Sequence, residues 1–270
     1  MKRKSIYSVL SVLLLAVVLL FTPLTRMTVD AKIKELFPIV VLTEYSHTMS
    51  IGDEFHLAAV TSTGKLPTFR SSKSSVASVN TYGVVTAKKA GVCKITAKIK
   101  GGEASCAVTV RPTTVTIRPS SITLFRQDTK KLTADVSTGH IPVWKSSRSS
   151  VVEVDENGTI TAIKHGTAKI TAKVDGATAT CTVTVKQPTV NLSASEIELD
   201  IGKTQQLSAS VSSGNKPEWT TSNMNIAAVD QNGRVTALRK GRAYIYTRED
   251  GAKASCRITV KDPNEKKSKR

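Results

Sequence analysis

Apolar and polar residues alternate strictly over two neighbouring stretches in the second half of the chain. From 168 to 174 apolar residues alternate with Lys and Thr, and from 177 to 185 they alternate with Thr. Asp175 and Gly176 lie between the stretches and form the dipeptide favoured in a two-residue hairpin turn. A period of two indicates a strand with one buried face. The pattern therefore predicts a β-hairpin over 168–185.

Weaker alternation upstream predicts further short strands. They centre on Val115 to Ile117, Ile122 to Leu124, Leu132 to Val136, Trp144, Val152 to Val154 and Ile160 to Ala162. We interpret Asn157-Gly158 as a second two-residue hairpin turn of the primed type. About seven short strands per unit, with no helical period, are typical of an antiparallel β-sandwich.

The whole pattern occurs three times without a gap. Residues 144–185 align with 69–110 and with 219–260, a period of 75 residues. Two sets of residues fall in register, namely Gly83, Gly158 and Gly233, and Cys106, Cys181 and Cys256. The period exceeds the roughly 20–50 residues of solenoid repeats, so each unit is predicted to form its own small domain.

We define repeat 1 as residues 38–112, repeat 2 as 113–187 and repeat 3 as 188–262. The aromatic residue at 69, 144 or 219 is predicted to pack between the sheets of its repeat. The joints between repeats contain proline and almost no spare residues, which predicts limited flexing. The expected fold class is all-β, with three tandem β-sandwich domains.

Four short motifs carry a family resemblance. They are W-x-S/T-S, N-G-x-V/I-T-A, G-x-A-x-I-T-A and A-x-C-x-V-T-V, in that order, complete in repeat 2 and with substitutions in repeats 1 and 3. This pattern closely resembles the bacterial immunoglobulin-like domain of group 2 and covers 38–262. The resemblance implies an Ig-like sandwich of bacterial surface and secreted proteins, related in fold to the adhesive arms of intimin and invasin. Repeat 1 departs most, with Tyr82 at the turn, Lys100-Gly101 for Asp-Gly, and His47 at an Ile position.

The N-terminal segment is predicted to direct export. A basic start is followed by an apolar run over 6–21 that ends before Pro23. We interpret 1–31 as a signal peptide cleaved after Ala31, with an uncleaved N-terminal membrane anchor as the alternative. Both interpretations place the repeats outside the cytoplasm. The charged segment 263–270 is predicted to be a disordered tail.

The positive charge does not indicate a nucleic-acid-binding protein. The net charge is +18, but it is spread along the whole chain, and aromatic residues make up 4% of the sequence. Specific nucleic-acid binders concentrate positive charge on one face and add stacking residues. The spread charge fits solubility and loose attraction to an anionic wall or membrane surface.

The cysteines are predicted to be buried thiols. Cys106, Cys181 and Cys256 recur on the inward face of the last strand, where a lone Cys behaves as a small apolar residue. Cys93 faces inward on the preceding strand, and the hairpin register places Cys106 opposite Ile95. The sequence does not decide whether Cys93 and Cys106 form a disulfide. Diagonal neighbours lie beyond normal disulfide distance unless the strands shift.

No residue set indicates a metal site, a cofactor or catalysis. The histidines at 47, 56, 140 and 165 lack metal-ligand spacing, and we interpret His140 and His165 as ordinary surface residues. The acidic turns at Asp155 and Asp230 supply too few oxygens for calcium and fit turn chemistry. No nucleophile, base and acid recur together, so we predict no catalytic, cofactor-binding or metal-binding residues.

The sequence therefore predicts a non-catalytic exported repeat protein that acts as a cell-surface structural, adhesion or spacer module. The alternative is a carbohydrate- or cell-wall-binding accessory module, for which the candidate aromatic residues are Tyr82, Phe125, Tyr244 and Tyr246. Expected partners are surface glycans, cell-wall polyanions or host proteins. Function is expected where the copies differ, as in the loops around Tyr82, His140 and Met224.

Overall fold

The computed structural model describes residues 38–263, which form strands, turns and loops. The predicted export segment (1–31) and, except for Pro263, the predicted tail lie outside the described residues. Contacts divide the chain into two compact units, one ending at Arg111 and the other beginning at Pro112. Within 38–263, no helix is long and apolar enough to cross a bilayer.

The described residues of the first unit form nine strands. They are β1 (Val40–Leu42), β2 (Ser46–Ser50), β3 (Glu54–His56), β4 (Ala59–Thr61), β5 (Thr68–Ser71), β6 (Ala77–Val79), β7 (Val84–Ala87), β8 (Gly91–Ile99) and β9 (Gly102–Arg111). They form a four-stranded sheet in the order β2-β9-β8-β5, a three-stranded sheet in the order β3-β7-β6, and the pair β1-β4.

The second unit contains the same arrangement twice. The strands of repeat 2 are β10 (Val115–Arg118), β11 (Ser121–Leu124), β12 (Thr129–Lys131), β13 (Thr133–Val136), β14 (Val143–Ser146), β15 (Val152–Val154), β16 (Thr159–Ala162), β17 (Gly166–Val174) and β18 (Ala177–Val185). The strands of repeat 3 are β19 (Val190–Leu192), β20 (Glu196–Asp200), β21 (Thr204–Gln206), β22 (Ala209–Val211), β23 (Glu218–Thr221), β24 (Ala227–Val229), β25 (Arg234–Ala237), β26 (Gly241–Glu249) and β27 (Ala252–Lys261). The sheet orders repeat accordingly, with β11-β18-β17-β14 and β20-β27-β26-β23 as the four-stranded sheets.

The predicted all-β class is confirmed, with two differences in detail. Each repeat has nine strands, where about seven were expected. Each four-stranded sheet also contains one parallel pair, such as β11 on β18, in which Ile122 lies beside Val183. Alternation identifies the buried face of a strand but carries no information on its direction relative to a neighbour.

The strand expected at Leu132 to Val136 is preceded by a further strand, β12, and the chain crosses between sheets where the two meet. In repeat 2, β12 pairs with β16, whereas β13 pairs with β10, and Leu132 lies between them. Leu132 is almost fully buried, and its N–H donates to the carbonyl of Gly158 at 2.9 Å. Leu132 is therefore hydrogen-bonded to the sheet that contains β12 and β16, and the chain leaves that sheet after it.

Each repeat has its own hydrophobic core between its sheets. The core of repeat 2 contains Ile160, Ile170, Cys181 and Val183, all fully buried. Equivalent cores lie in repeats 1 and 3. The exact boundaries of the three domains stay predictions.

The aromatic residue of each repeat packs against a turn glycine. A Cβ atom added to Gly158 would lie 2.7 Å from ring atoms of Trp144, and Gly158 has a φ of +79°. Glycine is thus required there both by the left-handed backbone and by the ring. Trp219 is buried and Trp144 half-buried, so both pack as large core residues against their turns.

The turn before Gly158 differs from the predicted two-residue hairpin. Val154 pairs with Ile160, so five residues separate the paired positions, and only the glycine of this loop has a positive φ. The Asp155 carboxylate accepts N–H groups from Asn157 at 2.9 Å and Thr159 at 2.7 Å. The prediction of a primed Asn-Gly turn was wrong because Asp155 organises a longer loop.

Candidate functional site

The Asp-Gly turn of repeat 2 forms the two-residue hairpin that its sequence predicts. Val174 pairs with Ala177, and Asp175 and Gly176 have φ angles of +49° and +85°. Left-handed values at both central positions are the requirement that favours Asp-Gly in such a turn. The strands on either side therefore hold the Asp175 side chain in a defined place.

Asp175 binds side chains of its own repeat. One carboxylate oxygen accepts the hydroxyls of Thr113 and Thr138, each at 3.0 Å, and lies 2.8 Å from Nδ1 of His140. Burial raises the pKa of the Asp175 carboxyl, but the hydrogen bonds from His140, Thr113 and Thr138 outweigh it and lower the pKa. The interpretation of His140 as an ordinary surface histidine was incomplete, since it anchors this turn.

The equivalent turn of repeat 3 contacts repeat 2 instead. Both Asp250 oxygens bind His165, one accepting its backbone N–H at 2.8 Å and the other lying 3.0 Å from its Nδ1. The Asp250 side chain is 2% exposed. The interpretation of His165 as an ordinary surface histidine was therefore wrong, because this residue joins two repeats.

A buried charge lies beside this contact. The Glu249 carboxylate is fully buried and accepts from Arg126 Nε of repeat 2 at 2.8 Å. Asn215 also donates to this carboxylate at 3.2 Å and to the Arg126 carbonyl at 2.8 Å. A buried carboxylate needs such partners because removal from water penalises the charged form.

We call the set of Arg126, His165, Asn215, Glu249 and Asp250 the junction brace. Its members come from two repeats of the same compact unit, and each binds across the boundary or supports a residue that does. The brace therefore fixes repeat 3 to repeat 2 by polar contacts.

The brace has a signal in the sequence, because two of its charged residues occupy positions that are apolar in the other repeats. Glu249 stands where Ile99 and Val174 stand, both buried apolar residues. Arg126 occupies the position held by Ile51 and Ile201. A charged residue at an inward position of an alternating strand calls for a partner of opposite charge, and Arg126 is that partner. The alternation pattern alone did not predict this pair.

An open cleft adjoins the brace. Its volume is about 520 Å³, and its exposed lining includes the cations Lys164, Lys216 and Arg248 together with Glu218. The remaining charged residues of its lining, Arg126, Glu249 and Asp250, belong to the brace. The uncommitted charge of the cleft is therefore mainly positive.

The outer face of the four-stranded sheet of repeat 3 carries two of the candidate aromatic residues. The rings of Tyr244 and Tyr246 lie 6.3 Å apart between centroids, with planes 18° from parallel. Arg257 lies opposite Tyr244 and donates to Glu196 at 2.7 Å. The hydrogen bond and charge of Glu196 raise the pKa of the Arg257 guanidinium. We call Arg242, Tyr244, Tyr246, Arg248 and Arg257 the aromatic-basic face.

The structure does not bring the other candidate residues together with this face. Tyr82 and Met224 are exposed, at separate turns. Phe125 is half-buried beside Arg126. His47 stacks on Phe55 with 3.8 Å between ring centroids.

All four cysteines are free and buried, and the register places Ile95 opposite Cys106 as predicted. Burial raises the pKa of the Cys106 thiol to about 11 and also raises the pKa values of Cys181 and Cys256. The thiols of Cys106, Cys181 and Cys256 are therefore protonated at neutral pH and pack as apolar groups.

The acidic turns act on the backbone. Hydrogen bonds from the backbone of Thr159 and Asn157 lower the pKa of Asp155, and those of Arg234 and Asn232 do the same for Asp230. In the part of the chain that the structure describes, no three His, Cys, Asp or Glu side chains are grouped to hold a metal ion.

Comparison with known families agrees with this fold. A family model described as a bacterial Ig-like domain of group 2 matches residues 186–258, almost the whole of repeat 3. A second model, described as a bacterial Ig-like domain, matches residues 145–187 in repeat 2. Repeat 3 and part of repeat 2 thus match bacterial Ig-like domains. Repeat 1 has the same register and sheet order, so the Ig-like repeats form a tandem of three.

Individual relatives are more distant. An uncharacterized protein of Clostridium acetobutylicum is 33% identical over 153 residues, which cover 52% of this chain and 16% of that protein. The Ig-like repeats thus span a small part of that relative.

Solved structures of similar fold include Ig tandems and a surface-layer protein. The I9–I11 tandem of titin is 12% identical with a TM-score of 0.49, and covers 83% of this chain and 99% of that chain. The S-layer protein SbsC is 17% identical with a TM-score of 0.26, and covers 83% of this chain and 40% of that chain.

Proposed function

We propose that this chain is an exported, non-catalytic repeat protein that serves as a structural, adhesion or spacer module at the bacterial cell surface. The observation that carries the proposal is the junction brace between repeats 2 and 3. A spacer must hold its ends at a defined separation, and this requires that neighbouring domains do not turn freely about their joint.

The brace meets this requirement through its energetics. Contacts between domains of one chain are commonly small, and relative motion is then the default. Here the Glu249 carboxylate is fully buried and bound by Arg126 of the neighbouring repeat. Separation of the repeats would part this carboxylate from its cation, and a hydrogen bond to a charged group contributes about 1.5–3 kcal/mol.

A distance measurement tests the spacer role. Spin labels at Val143→Cys in repeat 2 and Met224→Cys in repeat 3 use two exposed positions. We expect a narrow distance distribution, close in width to that of a control pair within repeat 2, Val143→Cys with Glu156→Cys. The substitution Arg126→Ile should broaden the first distribution and leave the second unchanged. A broad distribution in the unsubstituted background would contradict the proposal.

Export is tested separately on cells that produce the full chain. Protease added to intact cells should cleave the repeats while a cytoplasmic marker stays protected, or the repeats should be found in the medium. N-terminal sequencing of the exported protein then distinguishes a cleaved signal peptide from a membrane anchor. Recovery of the intact chain in the cytoplasmic fraction would overturn the surface role.

The second candidate function is a carbohydrate- or cell-wall-binding accessory module. The parallel tyrosine pair on the aromatic-basic face favours it, because exposed aromatic rings offer a flat apolar surface to the C–H face of a sugar ring. Retention of the protein by purified cell wall, and its absence from the unbound fraction, would support this function.

A further inference from the structure

We propose that the aromatic-basic face of repeat 3, continued into the cleft at the junction, binds an acidic polysaccharide. Sugar rings would pack on Tyr244 and Tyr246, and sugar carboxylates would bind the arginine and lysine side chains beyond them. The inference rests on the second candidate function and names its site and its ligand class.

The two tyrosine rings are accessible from outside the sheet. Tyr244 is 45% exposed, and both side chains lie on the outward side of β26. The strands on either side place small polar residues next to Tyr246, with Thr220 on β23 and Ser255 on β27. Tyr246 is half-buried and lies beside the Tyr244 ring, so part of its surface stays open to a ligand.

Cations lie on both sides of the rings along the same strand. Arg242 and Arg248 share the outward side of β26 with the tyrosines, are exposed, and form no ion pair with any described residue. An arginine fork matches the geometry of a carboxylate. An anionic ligand that covers the tyrosines therefore meets an uncommitted arginine at each end.

The face continues into the cleft through two shared residues. Arg248 and Glu218 lie on the four-stranded sheet and also line the cleft, where Lys164 and Lys216 add positive charge. Tyr244 and Arg248 are four residues apart on one strand, about 13 Å at the usual rise per residue. The surface is thus long enough for a chain of several sugar units.

The equivalent face of repeat 2 carries positive charge but no aromatic ring, so it allows the two contributions to be distinguished. Where repeat 3 has Tyr244 and Tyr246, repeat 2 has Lys169 and Thr171. Those positions are equally outward on β17, and they carry charge without an aromatic ring. A ligand held by charge alone would have no preference for repeat 3, whereas a charged sugar polymer would prefer it.

The test measures binding of the purified full chain to polygalacturonate, with dextran as the neutral polymer. The main variant, Tyr244→Lys with Tyr246→Thr, installs the residues of repeat 2 and adds one positive charge. We expect wild-type binding to weaken with salt, and the variant to bind at least about tenfold more weakly because it loses two stacking surfaces.

Two further variants complete the test. Arg248→Gln should weaken binding about threefold or more through loss of a carboxylate contact. Lys169→Gln removes a charge from the equivalent face of repeat 2. It should change affinity less than about twofold, because a solvent-exposed charge outside the binding site contributes little. Unfolding curves of each variant establish that the fold is retained.

Several results would overturn the inference. Equal or tighter binding by the tyrosine variant would show that only diffuse charge attracts the polymer. Equal binding of dextran would exclude an acidic ligand. Concentration-dependent dimerisation that disappears in the tyrosine variant would assign the face to a second copy of the chain. Failure of wild type to bind would remove this inference and leave the surface role, which cell fractionation tests.

Discussion

The last hairpins of repeats 2 and 3 have the same backbone and different partners. Both turn at Asp-Gly, with φ angles of +49° and +85° in repeat 2 and +43° and +82° in repeat 3. Asp175 binds groups of its own repeat, whereas Asp250 binds His165 of the repeat before it. The dipeptide determines the turn, and the residues around it decide whether that turn stabilises one domain or joins two.

The residue before the turn strengthens this contrast. Val174 is a buried apolar residue of repeat 2, and Glu249 is a buried carboxylate at the same position of repeat 3. At this one buried position, repeats of the same fold thus hold an apolar side chain in one case and an ion pair in the other. The chain itself supplies the matched substitutions that measure the difference.

The largest effect is expected from breaking the ion pair on one side. Arg126→Ile installs the residue found at this position in repeats 1 and 3 and leaves the buried Glu249 carboxylate without its cation. We expect a loss of about 3–5 kcal/mol in the free energy of unfolding of the second unit, measured with urea.

The double variant Arg126→Ile with Glu249→Val is the control for that experiment. It replaces the ion pair by apolar residues taken from other repeats, so its stability should lie within about 1 kcal/mol of wild type. A double variant as unstable as the single one would show that the brace does more than neutralise a buried charge.

A smaller effect is expected from crowding the turn glycine. A Cβ on Gly251 would lie 2.9 Å from Cε1 of His165, whereas a Cβ on Gly176 would have nothing within 4 Å. Gly176→Ala should cost about 1–2 kcal/mol from left-handed strain alone, and Gly251→Ala about 1 kcal/mol more. Equal losses in the free energy of unfolding, measured with urea, would mean that the His165 side chain moves aside without an energetic cost.

The hydrogen-bonded carboxylate of repeat 2 predicts acid sensitivity. The folded-state pKa of Asp175 is lowered, so its contribution to stability is present above the unfolded pKa of about 3.9 and is lost as pH falls through the folded value. Asp175→Asn should destabilise by about 1–2 kcal/mol near pH 5 and by less near pH 2. Urea unfolding at both values checks this, and a loss independent of pH would contradict it.

The smallest measured effect is expected in the labelling of the native cysteines, which report local opening of the fold. Burial raises the pKa of Cys181 and of Cys256, so both should react very slowly with iodoacetamide at neutral pH. Arg126→Ile should accelerate the labelling of both, as followed by mass spectrometry of their peptides. Cys106 lies in the first compact unit and serves as the internal control. Acceleration at Cys106 as well would show that the effect is not confined to the braced repeats.

Much of the fold was predictable because it depends on local patterns. The hairpin of β17 and β18, the inward cysteines and the packing of Trp144 follow from alternation and from the repeat. The turn at Asn157-Gly158 was predicted wrongly, because the hydrogen bonds of Asp155 to the backbone are not evident from the dipeptide. The parallel pairing of β11 with β18 was also missed, since relative strand direction depends on contacts far apart in the chain.

The candidate site was predictable only in part. Tyr244 and Tyr246 stood out as aromatic residues that the other repeats lack, but their parallel arrangement required the strand register. Glu249 interrupts an apolar pattern, yet its partner Arg126 lies 123 residues earlier. An ion pair of that separation is not visible in a local window.

The sequence by itself determined the strands, their buried faces, the Asp-Gly turns and the threefold repeat, because each depends on residues close together in the chain. Only the tertiary structure decided which carboxylates serve their own repeat and which join repeats 2 and 3. It also decided that the aromatic-basic face continues into a cleft. These features depend on the packing of one folded domain against another, where repeats of the same fold differ through side chains whose partners are far away in sequence.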